Sequence, residues 1–279
     1  MFNRLFEKSV NLVPWWLRKR IRGIPVFSKL LRWLFARLFQ NSQFNHIINA
    51  GPAKGLQMPI TLPDDKFLWT ATWEIEISEH LQQMTRQGSI ALDIGAHRGF
   101  FAGIMALAGA EKVYCFEPLP ENLEKLHALC ELNPQLAIDI LPVALAEENG
   151  TAEFIVDFRY QNAMGKLSSS TFKPKAKNFE KLTVNVRSLD SLNDEQALGD
   201  IGLIKIDVEG AEIAVLRGAE AVLNRFKPSL MIEIHSYDLF LECQTFLSDL
   251  GYRLNVVETD FEPITESSFK IFHLVAVPV

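Results

Sequence analysis

The sequence is poor in cysteine, and its cysteines lack the spacing of a metal or redox pair. Cys115, Cys130 and Cys243 are the three cysteines among 279 residues, and each lies within an apolar strand or helix pattern. The lack of a Cys-x-x-Cys pair argues against a zinc or dithiol site built on cysteine. We interpret all three as buried, reduced side chains, which predicts a cytoplasmic protein.

Long apolar runs are also absent. No uninterrupted run reaches the ~20 residues that a membrane-spanning helix needs, and charged residues interrupt every candidate signal-peptide core. The composition, with 48% hydrophobic and 22% charged residues, is typical of a globular chain with one large domain, alone or with an extension. The net charge is −6, and we expect no nucleic-acid partner.

Acidic residues are nearly missing from residues 1–50. This segment holds nine Lys and Arg residues against one acid, Glu7, so it carries +8 and leaves −14 to the rest of a chain whose net charge is −6. Apolar residues recur there at helical spacing, at Phe27, Leu30, Leu31, Leu34, Phe35 and Leu38. Because a turn-rich stretch begins at Gly51, we predict a basic amphipathic helical extension over residues 1–55 and a catalytic domain over residues 56–279.

Paired tryptophans, Trp15 and Trp16, stand beside a basic run in this extension. Basic amphipathic helices that carry Trp and Phe commonly lie in a membrane interface. We therefore expect peripheral contact with the inner face of a membrane through residues 1–40. Docking of the helix on the catalytic body and self-association remain alternatives, and the sequence does not predict an oligomeric state.

The motif around which the chain is organised is a strand, turn and helix over residues 90–108. Its apolar residues predict a buried strand, while Gly95 and Gly99 permit a tight turn before a helix that begins at Phe100. In such a motif a nucleotide-like ligand lies against the main chain, near free N–H groups at the helix start. A glycine turn that binds no cofactor is the alternative.

The glycines that a dinucleotide site requires are missing from this turn. The Gly-x-Gly-x-x-Gly pattern has glycine where this chain has His97 and Phe100. The carboxylate of Asp93, at the strand end, would face the ligand, repel a pyrophosphate and attract the amino group of S-adenosylmethionine. We therefore predict S-adenosylmethionine as the cofactor, with NAD as the weaker alternative.

A second acid follows about twenty residues later. Residues 112–118 predict a short strand that ends at Glu117 and Pro118, and an acid at this place accepts hydrogen bonds from both ribose hydroxyls. Adenine is expected near Val143 to Leu145, beside Ala144. Glu117 is therefore predicted to hold the ribose of the cofactor.

The middle of the chain predicts further elements and one irregular segment. A helix is expected over residues 69–84, and strands are expected over residues 137–144 and 151–158. Residues 159–180 show no clear period and are rich in hydroxyl and amide groups. They predict either a lid that binds the acceptor or a flexible insertion.

Charged residues collect at the end of a later strand. Residues 201–206 predict a buried strand that carries Lys205, Asp207 and Glu209 to the edge where open α/β sheets bind ligands. A helix is predicted over residues 211–223. A simple ion pair between Lys205 and Asp207 is the structural alternative.

The next predicted strand repeats this arrangement. It places Glu233 and His235 on one face, because side chains alternate along a strand. A histidine with a near-neutral pKa would suit a general base that takes a proton from an acceptor hydroxyl, although a structural histidine is the alternative. We predict no metal; a site for Mg²⁺ formed by Asp207, Glu209, Glu233 and His235 is the metal-assisted alternative.

The chain ends with a helix predicted over residues 238–250 and strands over residues 252–257 and 269–277. A helix and a strand hairpin after the fifth parallel strand are typical of the methyltransferase variant of the doubly wound fold. We therefore predict an α/β, Rossmann-like class I methyltransferase fold, with a seven-stranded, mostly parallel sheet, a C-terminal antiparallel hairpin and a helical N-terminal extension.

The sequence resembles the FkbM family of S-adenosylmethionine-dependent methyltransferases over residues 69–273. The resemblance rests on Leu92-Asp-Ile-Gly-Ala-His-Arg-Gly-Phe, Val113-Tyr-Cys-Phe-Glu-Pro, Ser168-Ser-Ser, Leu189-Asp-Ser-Leu, Ile204-Lys-Ile-Asp-Val-Glu-Gly-Ala-Glu and Met231-Ile-Glu-Ile-His. It implies cofactor contacts at Asp93, Gly95, Ala96, His97, Gly99, Phe100, Glu117, Pro118, Ala144 and Asp207, and catalytic roles for His235, Asp207 and Glu209. His97 departs from the family, which usually has Asn there.

Together these patterns predict an O-methyltransferase that acts on a hydroxyl of a sugar or other small metabolite. His235 is the first choice for the general base and Asp207 the second. A non-catalytic cofactor-binding or scaffold protein at a membrane surface is an alternative. An NAD-dependent oxidoreductase is a weaker one.

Overall fold

Strands and helices alternate along most of the chain. The computed structural model describes residues 13–22, 42–157, 164–167, 179–257 and 264–279. The helix predicted over residues 27–39 and most of the segment 159–180 lie outside these described residues. No described helix is both long and apolar enough to cross a membrane.

The bounds of the elements follow in chain order. The strands are β1 Ser42–Ile47, β2 Gln57–Leu62, β3 Ile90–Ile94, β4 Lys112–Phe116, β5 Ile138–Leu141, β6 Ala144–Leu145, β7 Gly150–Asp157, β8 Met164–Leu167, β9 Phe179–Arg187, β10 Ile201–Ile206, β11 Ser229–Ile234, β12 Tyr252–Val256 and β13 Phe272–Pro278. The helices are α1 Trp15–Arg22, α2 Lys66–Trp69, α3 Ile75–Met84, α4 Phe100–Leu107, α5 Pro120–Leu132, α6 Leu189–Gln196, α7 Glu212–Arg217, α8 Glu220–Phe226 and α9 Tyr237–Asp249.

The central sheet has seven strands in the order β12-β13-β11-β10-β3-β4-β5. Neighbouring strands from β11 to β5 are parallel, whereas β13 is antiparallel to both β11 and β12. This topology confirms the predicted class I methyltransferase fold. Because the chain changes direction across the sheet between β3 and β10, a crevice opens at their carboxyl ends, where such sheets bind ligands.

Apolar side chains form a core on each face of the central sheet. Alternate residues of β3 point to opposite faces. Ala91 packs with Leu81 of α3 and Leu126 of α5, while Leu92 lies in the core that holds Val215 of α7. Burial of each such Leu or Val side chain contributes about 1.5–3 kcal/mol.

The hairpin of β1 and β2 packs on the first of these cores. Its strands pair antiparallel, with Ser42 opposite Leu62, and Met58 and Ile60 are buried beside α5. The hairpin spans the boundary predicted between residues 55 and 56, so packing continues across it. The division into two domains stays a prediction.

Helix α1, from the basic segment, docks on the body of the protein. Trp15 Nε1 donates to the carbonyl oxygen of Ala71 at 2.9 Å, and Lys19 Nζ lies 2.7 Å from Glu79 Oε1. Glu79 of α3 therefore binds α1. The side chain of Trp16, by contrast, is 64% exposed. This part of the extension therefore contacts the body, as one of the alternatives had it.

Two helices predicted as continuous are each divided. The helix predicted over residues 69–84 is interrupted between α2 and α3, where Ala71 and Glu74 have φ of 57° and 36°. The helix predicted over residues 211–223 is interrupted at Gly218, where a Cβ would lie 2.0 Å from a backbone carbonyl oxygen. Left-handed backbone and close main-chain contact are not visible in hydrophobic periodicity.

A second sheet, with four strands in the order β6-β9-β7-β8, was not predicted. The strands predicted at residues 137–144 and 151–158 belong to different sheets, since β5 joins the central sheet and β7 the second. Strand β8 lies inside the aperiodic segment, so the prediction of an irregular loop is wrong at residues 164–167. The second sheet supplies Phe154 and Ala144 to the site described next.

Candidate active site

A cleft of about 280 Å³ opens at the carboxyl edge of the central sheet. Its lining comprises Trp73, Ile94, Gly95, His97, Phe116, Glu117, Pro118, Leu119, Asn122, Ala144, Leu145, Phe154, Asp207, Val208, Glu209 and Ala211. The predicted site residues among these are Gly95, His97, Glu117, Pro118, Ala144, Asp207 and Glu209. Five others, Asp93, Ala96, Gly99, Phe100 and His235, do not line the cleft.

The turn after β3 brings the backbones of β3 and β10 together at the cleft. Gly95 has φ of 80°, and a Cβ there would lie 1.9 Å from the carbonyl oxygen of Asp207. The N–H groups of Gly95 and Ala96 both donate to the carbonyl oxygen of Phe116, at 3.0 and 3.1 Å. Glycine is therefore required at position 95 by the convergence of the strands as well as by its φ angle.

Gly99 and Phe100 serve packing in place of the predicted ligand contact. Gly99 has φ of 80°, and a Cβ there would lie 2.4 Å from Leu126 Cδ1 of α5. The ring of Phe100 is buried in the core on that face of the sheet. Neither residue lines the cleft, because both pack toward α5 or into the core, and their contact with the cofactor stays a prediction.

His97 occupies a left-handed backbone position with φ of 50°. His and Asn tolerate this region better than most residues, which explains why His can stand where the family usually has Asn. Its N–H donates to Glu117 Oε2 at 2.9 Å. Burial and the neighbouring Arg98 lower the pKa of His97 to about 4, so the ring is neutral at pH 7. No described residue accepts or donates a hydrogen bond at its buried Nε2.

Glu117 lies in the cleft lining with its carboxylate held by main-chain groups. Oε2 accepts from His97 N, and Oε1 accepts from Leu119 N at 2.9 Å. The side chain of Asn122 also donates to it. Burial raises the pKa of Glu117 to about 7 despite these hydrogen bonds. Each oxygen has a further lone pair, so the carboxylate can accept hydrogen bonds from a ligand in the cleft.

Asp93 does not face the cleft as predicted. It is fully buried, and it lies directly beside Lys205 in the pairing of β3 with β10. Lys205 Nζ lies 3.7 Å from Asp93 Oδ1 and 3.2 Å from Asp207 Oδ2, and 4.8 Å from the ring centre of Phe101. Burial raises the pKa of Asp93. Because strand register sets the Asp93 side chain against a buried ammonium, Asp93 does not line the cleft, and its contact with the cofactor stays a prediction.

Asp207 and Glu233 lie side by side at the ends of β10 and β11. The side chain of Asp207 is 27% exposed. Burial alone would raise its pKa, but the Lys205 ammonium outweighs that effect and lowers it. Burial and the neighbouring Asp207 carboxylate raise the pKa of Glu233 to about 7. His273 Nε2, opposite Glu233 on β13, lies 3.9 Å from Glu233 Oε2.

His235 is held between two acids of the following loop and helix. Nδ1 lies 2.5 Å from Glu212 Oε1, and Nε2 lies 3.7 Å from Glu209 Oε2. Burial would lower the pKa of His235, but the hydrogen bond to the fully buried Glu212 raises it to about 9. The near-neutral pKa expected for a general base is therefore wrong for this geometry. At pH 7 the ring carries a proton and pairs with carboxylates.

A comparison with known protein families assigns this chain to a family. A sequence model described as the methyltransferase FkbM domain matches residues 93–254, which is more than half of the chain. The chain belongs to the FkbM methyltransferase family. The matched region contains the turn after β3, Glu117 and the charged ends of β10 and β11.

Two curated relatives align with part of this FkbM-family chain. One is the 2-O-methyltransferase NoeI of Sinorhizobium fredii, 31% identical over 49% of this chain and 59% of that protein. The other is the hexuronic acid methyltransferase AglP of Haloferax volcanii, 24% identical over 58% of this chain and 63% of that protein. The chain thus matches less than two thirds of the length of either relative.

Among solved structures, the methyltransferase FkbM of Methylobacillus flagellatus is similar to this chain with 18% identity and a TM-score of 0.47. The similarity covers 75% of this chain and 52% of that one.

Several cleft residues of this FkbM methyltransferase were missed by sequence reasoning. Leu119 and Phe154 join Leu145, which was expected near adenine, at the apolar end of the cleft, and Trp73, 40% exposed, stands at its rim. Asn122 had a detectable signal, since it lies in the first turn of the helix that follows Glu117. Phe154 and Trp73 had none, because the second sheet and the break between α2 and α3 place them there.

A larger hollow of about 590 Å³ lies beside the hairpin of β1 and β2. It contains none of the predicted site residues. Arg98, which borders it, pairs with the carboxylate of Asp65 at 2.5 Å and donates to the carbonyl oxygen of Pro59 at 2.6 Å. The smaller cleft is the candidate active site because it combines the crevice between β3 and β10 with Glu117 and the charged strand ends.

Proposed function

We propose that this FkbM-family chain is an S-adenosylmethionine-dependent methyltransferase that methylates a hydroxyl of a sugar or another small metabolite. The observation that carries the proposal is Glu117, a carboxylate fixed by main-chain N–H groups and open to a cleft with one apolar and one charged end. S-adenosylmethionine has matching groups in the same order, with an apolar adenine ring at one end, ribose hydroxyls in the middle and positive charges at the other end.

The lining fits the parts of S-adenosylmethionine in sequence. Apolar side chains of Ala144, Leu145 and Phe154 suit the adenine ring, and Glu117 suits the ribose hydroxyls. Asp207 and Glu209 attract the ammonium and sulfonium charges at the other end. With Asp93 buried against Lys205, Asp207 is the carboxylate of this pair of strands that reaches the cleft.

The acceptor class is supported by the family and by the names of its members. NoeI is by name a 2-O-methyltransferase and AglP a hexuronic acid methyltransferase. In the proposed reaction the acceptor oxygen attacks the methyl carbon, the carbon–sulfur bond breaks with its electron pair left on sulfur, and the hydroxyl proton is lost. Asp207 and Glu209, in the lining, align the acceptor, and this alignment supplies most of the acceleration.

Calorimetric titration with S-adenosylhomocysteine tests the cofactor site. Glu117→Gln removes the negative charge that accepts the ribose hydrogen bonds, and we expect the affinity to fall by about tenfold or more. Glu124→Gln changes an exposed acid on α5, the helix that follows Glu117, and this matched control should bind like the wild type. Equal affinities in wild type and Glu117→Gln would overturn the assignment.

Two further measurements separate the rival functions. Saturable binding of NAD in the same titration would favour an oxidoreductase. Transfer of labelled methyl groups to a panel of saccharides, including hexuronic acids, tests turnover. Donor binding without transfer to any acceptor would favour the cofactor-binding scaffold.

Peripheral membrane contact through residues 1–40 belongs to the same proposal. The described feature that supports it is Trp16, which projects from α1 while Trp15 and Lys19 bind the body. We expect the full chain to co-sediment with vesicles containing anionic phospholipid, and Trp16→Ala to reduce the bound fraction. Equal sedimentation of the full chain and of a chain that begins at Gly51 would contradict the membrane role.

A further inference from the structure

The carboxyl ends of β10 and β11 bring together three side chains that ligate metals. One carboxylate oxygen each of Asp207 and Glu233 and one ring nitrogen of His235 all lie within 4.8 Å of one another. Ligands on opposite sides of a Mg²⁺ or Mn²⁺ ion are about 4.2 Å apart, since each bond is about 2.1 Å. Ligands on adjacent positions are about 3.0 Å apart, so a pair at 4.8 Å would need to close by about 0.6 Å for opposite positions or about 1.8 Å for adjacent ones.

The surroundings of His235 are those of a metal-ligating histidine. Its Nδ1 is engaged by Glu212 Oε1, and that same oxygen also accepts the N–H of Gly210 at 3.0 Å. Histidines that bind metals usually donate their second ring N–H to a carboxylate in this way, which fixes the ring. A cation that binds Nε2 would displace to solvent the proton which this nitrogen carries at pH 7. Glu212 is fully buried, so it is a rigid partner.

The other nitrogen of His235, Nε2, lies near carboxylates at the ends of the strands. The side chain of His235 is 7% exposed. Its closest acid is Glu209, with Oε2 at 3.7 Å, beyond hydrogen-bond range. A cation between Asp207, Glu233 and this nitrogen would bind all three groups in a place that is largely closed to water.

The balance of charge at this edge also favours a cation. Lys205 is shared between Asp93 and Asp207, at 3.7 and 3.2 Å. Glu233 has beside it a carboxylate, Asp207, and a histidine nitrogen at 3.9 Å. Carboxylates gathered in a partly buried place repel one another unless a positive charge lies between them.

We propose that Asp207, Glu233 and His235 bind one divalent cation of the Mg²⁺ and Mn²⁺ class, with Glu212 as the positioning residue of His235. Two carboxylates and an imidazole suit Mn²⁺ especially, since oxygen ligands favour Mg²⁺ and Mn²⁺ and imidazole favours transition metals. Three protein ligands leave positions for water or for an acceptor hydroxyl.

The consequence for catalysis rests on the proposed methyl transfer. The acceptor hydroxyl binds the cation, which lowers its pKa so that the proton passes to solvent. The resulting oxygen anion attacks the methyl carbon, and the carbon–sulfur electron pair returns to sulfur. Asp207 belongs to both the cleft lining and the cation ligands, so it places the acceptor oxygen next to the cofactor.

Binding of Mn²⁺ alone tests the site without any turnover. The full chain, treated with EDTA and desalted, is titrated with Mn²⁺ by electron paramagnetic resonance, in which bound ions lose the signal of the free ion. We expect one saturable site in the wild type. Glu233→Gln and His235→Ala should each weaken it about tenfold or more, and Glu212→Gln should weaken it as well.

Matched controls are Glu242→Gln and His127→Ala, which change exposed residues elsewhere and should bind Mn²⁺ like the wild type. Titration with S-adenosylhomocysteine shows whether each variant is folded. Lack of saturable Mn²⁺ binding in the wild type, or wild-type Mn²⁺ affinity in both Glu233→Gln and His235→Ala, overturns the cation site. Loss of cofactor binding in the wild type overturns the proposed function instead, so the two failures are distinguishable.

Discussion

The two halves of the carboxyl edge hold their acids in different ways. In the half formed by β3 and β4, Glu117 is bound by main-chain N–H groups and remains open to the cleft. In the half formed by β10 and β11, Asp207 and its neighbours are bound by charged side chains, above all Lys205 and His235. Main-chain N–H groups hold a carboxylate in place and leave its other lone pairs able to accept hydrogen bonds from a ligand. A carboxylate in an ion pair is already neutralised by a side chain, so a cationic ligand must compete with that side chain.

Asp93 shows that position at a strand end does not decide between these two arrangements. It belongs by sequence to the β3 and β4 half, but its side chain joins the ion-pair network through Lys205. The difference predicts that substitutions in the β10 half act first on stability, and substitutions in the β4 half act first on cofactor affinity. The following tests bear on that contrast, beginning with the largest effect.

Replacement of the buried lysine should be the most damaging change. Lys205→Met leaves Asp93 and Asp207 without their cation, and breaking a buried pair in this way costs about 3–5 kcal/mol in the free energy of unfolding. Urea unfolding followed by circular dichroism measures the loss. Lys181→Met, which breaks an exposed pair with Glu153, should cost less than about 1 kcal/mol.

A second substitution checks the physical reason for that loss. Asp93→Asn in the Lys205→Met background removes one of the uncompensated charges, so it should restore part of the stability. If the double variant is as unstable as the sum of the two single variants, the pairing of Lys205 with Asp93 is not what stabilises this half.

Gly95→Ala should be the next most damaging change, because it acts where the two halves meet. The added Cβ would lie 1.9 Å from the carbonyl oxygen of Asp207, at φ of 80°. The left-handed backbone alone costs about 1–2 kcal/mol, and separation of β3 from β10 adds to it, so we expect a total above about 2 kcal/mol.

Thermal unfolding of Gly95→Ala beside Gly88→Ala separates these two contributions. Gly88 has φ of 72° but nothing within 4 Å of the added Cβ, so it reports the backbone cost alone. Equal losses in the two variants would show that the close approach of Asp207 to Gly95 has no energetic weight.

The ionisation of Glu117 should make cofactor affinity depend on pH. Its pKa of about 7 means that the carboxylate that accepts ribose hydrogen bonds becomes protonated as the pH falls through 7. Affinity for S-adenosylhomocysteine should therefore drop by about tenfold between pH 8 and pH 6, close to one pKa unit of binding energy. Calorimetry in both buffers measures it, and Glu117→Gln should abolish the dependence.

The raised pKa of Glu117 makes the stability of the cofactor-free protein change with pH in the direction opposite to cofactor affinity. Burial raises the pKa of Glu117 in the folded state above its ordinary value of 4.5. This group therefore stabilises the fold most below pH 4.5, and the contribution is lost as the pH rises to about 7. A cofactor affinity that does not change with pH in the wild type would show that Glu117 is not the ribose acceptor.

His97→Asn should have the smallest effect. Both residues tolerate φ of 50°, and the contact with Glu117 is made by the main-chain N–H, which the substitution retains. We expect a change below about 0.5 kcal/mol in the free energy of unfolding. A loss of 2 kcal/mol or more in thermal unfolding would show that the buried imidazole itself is required.

Much of the fold followed from local patterns. The strands around Ile90, Lys112, Ile201 and Ser229 are short apolar runs followed by turn residues, and the helix and hairpin after β11 completed a recognisable order. Glu117 was found from its distance to the turn after β3, because that distance is set by one helix between two parallel strands.

The sequence by itself determined the α/β order of elements, the glycine turn, the family and the acids that gather at one edge, since these depend on periodicity and spacing along the chain. Tertiary structure decided which way those acids face. The register between β3 and β10 places Asp93 beside Lys205. The hydrogen bond to Glu212, on a separate helix, keeps His235 protonated at pH 7 in the absence of a bound cation. The second sheet, which was not predicted, supplies Phe154 to the apolar end of the cleft. Each outcome depends on contacts between residues distant in sequence, which no local pattern contains.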